Sequence, residues 1–178
     1  MSIQNLKVAM LIDNGFEESE MLKPKQALDD AGATVHIISP EKSKVKSWTK
    51  GNWGDEFSVD IPLNDADPNN YDALVLPGGV INPDKLRINN KAIQFIKHFV
   101  TSNKPIAAIC HGPWTLIDAG GIKSHKMTSW PSLKMDLTNA GATWVDEEVV
   151  VDNKLITSRK PDDLPAFNKK ILEVFSQR

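Results

Sequence analysis

The chain has 178 residues, 40% of them hydrophobic and 25% charged, with a formal net charge of −2 and one cysteine. That length suits one compact domain with a sizeable core, so residues 1–178 are expected to form a single domain. The charge balance leaves no basic excess for nucleic acid and no polybasic run for a membrane surface, and one cysteine excludes an internal disulfide. The start, Met1-Ser2-Ile3-Gln4-Asn5-Leu6-Lys7, leads directly into a strand, and no segment approaches transmembrane length. A cytoplasmic protein is expected.

Lys7-Val8-Ala9-Met10-Leu11-Ile12 is a continuously apolar run of the kind buried on both faces of a parallel sheet. Asp13-Asn14-Gly15-Phe16 turns the chain into a helix reaching about Asp30. Its first turn is acidic, as the helix dipole favours, and Pro24 falls early enough to be tolerated. Residues 34–39 form the next strand, and a strand–helix–strand unit of this size predicts parallel pairing with a right-handed crossover. Residues 40–62 break the pattern. Lysine- and serine-rich sequence, Gly51, Gly54 and Phe57-Ser58-Val59-Asp60-Ile61 predict a β-hairpin at the sheet edge. Trp48 and Trp53 are expected to pack that hairpin against the body or a subunit contact.

Residues 71–76 return to a buried strand ending at Pro77-Gly78-Gly79. A helix follows from about Asn89 to Thr101, with Ile93, Ile96, Phe99 and Val100 at helical spacing. Residues 106–110 are the central strand, and the helix after it ends at Ala119-Gly120-Gly121. A short strand at 126–128, a helix over 132–140 and a hairpin over 149–158 precede the last helix, 163–175, capped by Asp162 or Asp163. Alternating strands and helices without repeats or linkers predict an α/β fold.

The pattern changes from strand to helix within two residues of Cys110, which places the thiol in a sharp turn over a helix N-terminus. The unpaired N–H groups and partial positive charge there favour a thiolate. A lone cysteine is otherwise a small buried hydrophobe, but His111 and Gly112 beyond a strand end point to a reactive group. Three apolar strands end in unusual sequence: Asn14-Gly15-Phe16-Glu17, Pro77-Gly78-Gly79 and Cys110-His111-Gly112. In open parallel sheets, sites form outside such C-terminal ends, so the three are expected to meet in one cleft. Glu17 and Glu20, three residues apart, share a helix side, and one of them is expected beside the cysteine. Two anions in contact repel. The carboxyl must therefore hold a proton donated to sulfur, with its pKa raised by burial and by the neighbouring negative charge. Backbone N–H groups at Gly78-Gly79 suit an oxyanion hole. His111 is a candidate base, although neighbours in a tight turn point apart and no acid lies near it in sequence. His36, His98 and His125 have no metal-ligand spacing with Cys110, so no metal is expected.

Taken together, these stretches resemble the PfpI/ThiJ superfamily, most closely its intracellular protease I branch of bacterial stress proteins. The resemblance runs through Gly15-Phe16-Glu17-Glu18-Ser19-Glu20, Ala73-Leu74-Val75-Leu76-Pro77-Gly78-Gly79, Ala108-Ile109-Cys110-His111-Gly112-Pro113, Asn139-Ala140-Gly141-Ala142 and Thr157-Ser158-Arg159-Lys160-Pro161-Asp162-Asp163-Leu164. It implies a flavodoxin-like three-layer sandwich with a mostly parallel sheet, Cys110 as nucleophile and Glu20 beside its sulfur. It also implies oxyanion-binding N–H groups near Gly79 and His111, supporting positions at Glu17 and Arg159, and a homodimer or larger ring. Protease-like members place an acid in the segment corresponding to Leu86-Arg87-Ile88-Asn89-Asn90-Lys91, where it orients the histidine of an adjacent subunit. Asn90 stands at that position here, and an amide cannot balance an imidazolium charge, so His111 is expected to be a weaker base. Trp114 replaces a usual Gln and Trp130 a usual smaller ring, and both are expected to wall the pocket.

The resemblance implies a cysteine-dependent enzyme acting on small reactive carbonyls or glycated adducts, of glyoxalase III or deglycase type, with no cofactor. The alternatives are an intracellular cysteine peptidase and a stress protein that senses oxidants through Cys110.

Overall fold

The apolar runs become strands of one seven-stranded sheet in the computed structural model, which describes residues 3–177. Met1 and Ser2, at the start of the lead into the first strand, lie outside the described residues, as does Arg178. In chain order, β1 (Lys7–Leu11) leads through a two-residue β2 (Phe16–Glu17) to helix α1 (Glu18–Asp30). Next come β3 (Thr34–Ser39), β4 (Lys44–Thr49), β5 (Asn52–Ser58), β6 (Ile61–Pro62), β7 (Ala73–Leu76), α2 (Ile81–Arg87) and α3 (Asn90–Thr101). After β8 (Ile106–Ile109) follow α4 (Trp114–Asp118), β9 (Lys126–Met127), α5 (Lys134–Asn139) and β10 (Thr143–Trp144). The chain then forms β11 (Val149–Asp152), β12 (Leu155–Ser158) and α6 (Leu164–Phe175).

The sheet runs β11-β12-β8-β7-β1-β3-β6, and every neighbouring pair is parallel except β11 with β12. This is the flavodoxin-like sandwich. Period-two alternation divides its core between the two faces. Ala9 and Leu11 of β1 join Phe95, Ile96 and Phe99 of α3 on one face. Val8 and Met10 join Met21 and Leu28 of α1 and Phe167, Ile171 and Phe175 of α6 on the other. Each large side chain removed from water in this way contributes about 1.5–3 kcal/mol. The chain leaves β1 toward one side of the sheet and returns through β7 and β8 on the other. The ends of β1, β7 and β8 therefore meet where the connections diverge, which is where such sheets build sites.

Several elements differ from the sequence expectation, among them the short strands β2 and β10, which it did not include. The β4–β5 hairpin is present, but it joins β2 in a separate three-stranded sheet rather than the edge of the main one. The edge strand is β6, paired with β3 through Ile38–Ile61. Anchoring on β2 swings the hairpin over the strand ends, with Trp48 edge-on to Trp53 at 5.4 Å between ring centroids. Helix α2 was not among the expected elements. Finally, Asp163 occupies the cap position of α6, but its carboxylate makes no capping bond and is held instead by Arg159.

Candidate active site

Cys110 follows the last residue of β8 with φ +61°, a left-handed conformation that costs a non-glycine residue about 1–2 kcal/mol. Along β8, Ala107 and Ile109 face α1 and α6, so strict alternation would send residue 110 to the opposite side. The positive φ overrides alternation, and Cys110 lies on the same face as Ile109. The distortion is held by bonds on both sides. Cys110 N–H donates to Ser158 O at 3.1 Å, Gly112 N–H to Ile109 O at 2.8 Å, and Trp130 N–H to Cys110 O at 3.0 Å. The result is a buried thiol turned toward α1.

Glu20 on α1 is fully buried. One carboxyl oxygen, Oε2, accepts the Gly78 N–H at 2.9 Å, and the carboxyl also hydrogen-bonds the Cys110 side chain. Glu20 was one of the two acids expected here. Burial pushes its pKa up from 4.5 to about 8; the Gly78 N–H opposes this and the Glu17 charge adds to it. Burial also raises the Cys110 thiol, an ionised Glu20 raises it further, and the N–H groups of Gly79 and His111 pull it down. The bond between the two side chains lowers the Glu20 pKa and raises that of the thiol, so the thiol is the donor, the reverse of the expected carboxyl-to-sulfur donation, because burial raises the sulfur further than the acid. Glycine is required at both positions of the adjoining turn. A Cβ on Gly78 would lie 2.5 Å from Glu20 Oε2 and 2.6 Å from Cys110 Cβ; one on Gly79, at φ +78°, would strike Gly15 O. Gly78 was expected among the oxyanion donors, but its N–H is committed to Glu20. The N–H groups that reach the sulfur are those of Gly79 and His111.

His111 is closer to the thiol than a tight turn suggested, with Nδ1 3.3 Å from Sγ. The left-handed backbone at Cys110 brings the two neighbours to one side. Its other nitrogen, Nε2, lies 3.4 Å from Ser132 Oγ, a neutral and weak partner. The Trp130 ring stacks on the imidazole at 6.1 Å and 24°, and Trp114 meets it edge-on at 5.6 Å. Burial in this setting lowers the His111 pKa from 6.5 to about 4, so the ring is neutral at physiological pH. Asn90 sits exposed at the first residue of α3, away from His111 in this chain.

A cavity of about 480 Å³ opens over the sulfur, bounded by Glu17, Trp48, Val80, Ile81, Trp130 and Pro161 among others. Glu17 reaches it from β2 rather than from the helix, with Oε1 accepting from Ser19 Oγ at 3.2 Å. Trp114 is not part of this wall. Its indole N–H donates to Asp136 at 2.8 Å and its ring carries the Arg87 guanidinium at 5.0 Å, so it packs behind His111. Arg159 is also outside, clamped by Asp163 at 2.8 and 3.1 Å and by Asp146 at 2.7 Å. It fixes the turn that presents Pro161.

Sequence reasoning missed three contributors: Trp48, Ser132 and Asn82. Asn82 is fully buried; its amide donates to Pro77 O at 3.1 Å and Gly78 O at 3.0 Å, while its Oδ1 accepts Asp13 N–H at 2.7 Å. It ties the glycine turn to the end of β1. Only the Asn-Pro pair after Gly78-Gly79 hinted at a built turn. Of the remaining histidines, His36 bonds Tyr71 and His125 bonds Asp152, each at 3.1 Å, while His98 packs edge-on against Phe99 with its Nε2 buried and without a hydrogen-bond partner.

A family model described as DJ-1/PfpI family matches residues 6–174. General stress protein 18 of Bacillus subtilis is 42% identical over 173 residues, covering 96% of this chain and 98% of that protein. YraA of the same organism, named as a candidate cysteine protease, is 41% identical over 168 residues, covering 94% and 97%. Among solved structures, a two-domain protein from Anabaena variabilis with DJ-1/ThiJ/PfpI-like and ferritin-like domains superposes with a TM-score of 0.90 at 34% identity. The match covers 97% of this chain and 48% of that protein, so the chain spans about half its length.

Proposed function

The chain belongs to the DJ-1/PfpI family, and from that premise we propose that it is a cysteine-dependent enzyme acting on small reactive carbonyls or their adducts. The observation that carries this is the buried Glu20–Cys110 pair, in which a carboxyl with a pKa near 8 shares a hydrogen bond with the thiol. When the pair holds a single proton, the sulfur can attack the aldehyde carbon of a substrate such as methylglyoxal. A C–S bond forms, the carbonyl π electrons move to oxygen, and that oxygen takes the proton to give a hemithioacetal. Ionised Glu20 then takes the proton from the former aldehyde carbon, giving an enediolate, and returns it to the adjacent carbon, while the hydroxyl proton passes from the first oxygen to the second, leaving a thioester. Water hydrolyses the thioester and releases a hydroxy acid and the thiol. The N–H groups of Gly79 and His111 support the developing oxyanion. No step calls on a metal or organic cofactor. A homodimer in the cytoplasm, with Asn90 near the subunit boundary, belongs to the same proposal.

A second proposal, a peptidase, draws support from the 3.3 Å approach of His111 to the sulfur and from the name of one relative. Against it stand a histidine lowered to about 4 and paired only with a serine, and a cavity of small-molecule size.

The test is a panel of carbonyls and peptides run on wild type, Cys110→Ser and Glu20→Gln. Cysteine-dependent loss of methylglyoxal, abolished in Cys110→Ser, supports the leading proposal. Peptide cleavage without carbonyl loss favours the peptidase. Selective gain of two oxygens at Cys110 with mild peroxide, without turnover of either class, would replace both with oxidant sensing.

A further inference from the structure

The cavity over Cys110 is far larger than a three-carbon carbonyl needs, and its walls are chemically one-sided. About 480 Å³ lies between two indoles, Trp48 from the β4–β5 hairpin and Trp130, with Val80, Ile81 and Pro161 completing the rim. Clefts of roughly 300–1,000 Å³ with mostly apolar walls hold whole ring-sized ligands. Three of these walls are exposed, Val80 at 54%, Trp130 at 39% and Ile81 at 36%, although Trp130 also stacks on His111. An apolar substituent seated there would remove that surface from water.

Charge completes the selection. Among the described residues no lysine or arginine lines the cavity, and its acidic side chains are Glu17 and Glu20. The negative charge of Glu17 already raises the Glu20 pKa, so it is felt inside the site. A basic cluster of Lys44, Lys46 and Lys85 lies across Ile81 in a separate groove, where Lys44 is held by Glu56 at 3.2 Å and Lys85 by Asp13 at 3.4 Å; Lys160, next to Pro161, is held by Asp162 at 3.2 Å. An anionic substrate would meet the Glu17 carboxylate in the cavity and no lining lysine or arginine to balance it.

Resting on the assignment of Cys110 as nucleophile, we infer that this site takes uncharged carbonyls bearing an apolar ring or branched chain. Small hydrophilic and anionic carbonyls are disfavoured. Trp48 and Trp130 are the specificity-determining walls. Each buried methylene raises affinity about four-fold, so even partial seating of a ring gives an advantage of at least about tenfold.

Two measurements separate this selectivity from the reaction itself. The first is the rate of Cys110 alkylation by iodoacetamide, iodoacetate and 2-iodo-N-phenylacetamide. In all three the sulfur displaces iodide, and rates are divided by those of 2-mercaptoethanol. The phenyl reagent should be favoured over iodoacetamide by about tenfold or more, and iodoacetate disfavoured by a similar factor. Trp48→Ala and Trp130→Ala, each taken only as protein whose circular dichroism and thermal melt match wild type, should lower the phenyl-to-iodoacetamide ratio at least about three-fold. The second is kcat/KM for phenylglyoxal, expected to exceed that for methylglyoxal. Equal normalised alkylation rates, or a preference for iodoacetate, overturn the selectivity whether or not any carbonyl is consumed. The expected alkylation order with no carbonyl turnover upholds the selectivity and removes the proposed reaction instead.

Discussion

The two flanks of the Cys110 sulfur are built to different standards. On the α1 side, Glu20 is fully buried, anchored by the Gly78 N–H at 2.9 Å, and coupled to the thiol. On the other side, His111 touches the sulfur at 3.3 Å, but its far nitrogen finds only Ser132 at 3.4 Å. Burial acts on both groups and favours the neutral form of each, in opposite senses on the pKa scale: Glu20 rises to about 8 and His111 falls to about 4. Near neutral pH the acid can therefore give and take a proton, while the histidine has almost no charged form to use. A short distance does not make a catalytic pair. A matched pKa and a fixed partner do.

The largest expected effect comes from removing what both flanks serve: Cys110→Ser should lower methylglyoxal turnover by more than about a thousandfold, measured by direct loss of the carbonyl. Next comes Glu20→Gln, which keeps shape but not titration and should cost about 10²–10⁴-fold in kcat. His111→Gln should cost less than about tenfold in the same assay; a loss matching that of Glu20→Gln would erase the contrast between the flanks.

A thermodynamic prediction concerns Glu20 alone. Its folded pKa of about 8 lies above its ordinary 4.5, so the folded state holds a proton that the unfolded chain releases within that window. Stability is then present below pH 4.5 and is lost as pH rises toward 8, by on the order of a few kcal/mol. Thermal melts of Glu20→Gln should lack this decline, so its melting temperature gains on wild type from pH 5 to pH 8. The smallest effect is reserved for Trp114→Phe. Losing the bond to Asp136 should leave turnover within about two-fold.

The strongly built flank was also the more legible in the sequence. Strand ends and apolar runs located the sheet, and the spacing of Glu17 and Glu20 with the Cys110 turn narrowed the buried acid to two candidates. What escaped depended on backbone torsion and distant packing. The His111 contact follows from φ +61° at Cys110, which no residue type announces for a cysteine. Trp48 reaches the cavity because the β4–β5 hairpin pairs with two residues of β2, too short a strand to leave a periodic signal. Trp114 was placed on the wall through the resemblance, whereas α4 turns it outward to Asp136. Gly78 had the right turn for an oxyanion donor, but Glu20 claims its N–H.

The most direct test of proton handling by Glu20 is the pH dependence of Cys110 alkylation by iodoacetamide in wild type, Glu20→Gln and His111→Gln. Wild type and His111→Gln should share an inflection near pH 8, where the Glu20–Cys110 pair loses its first proton. In Glu20→Gln that inflection should move by a unit or more. An inflection that persists in Glu20→Gln and shifts in His111→Gln would contradict the account and return the proton to the histidine.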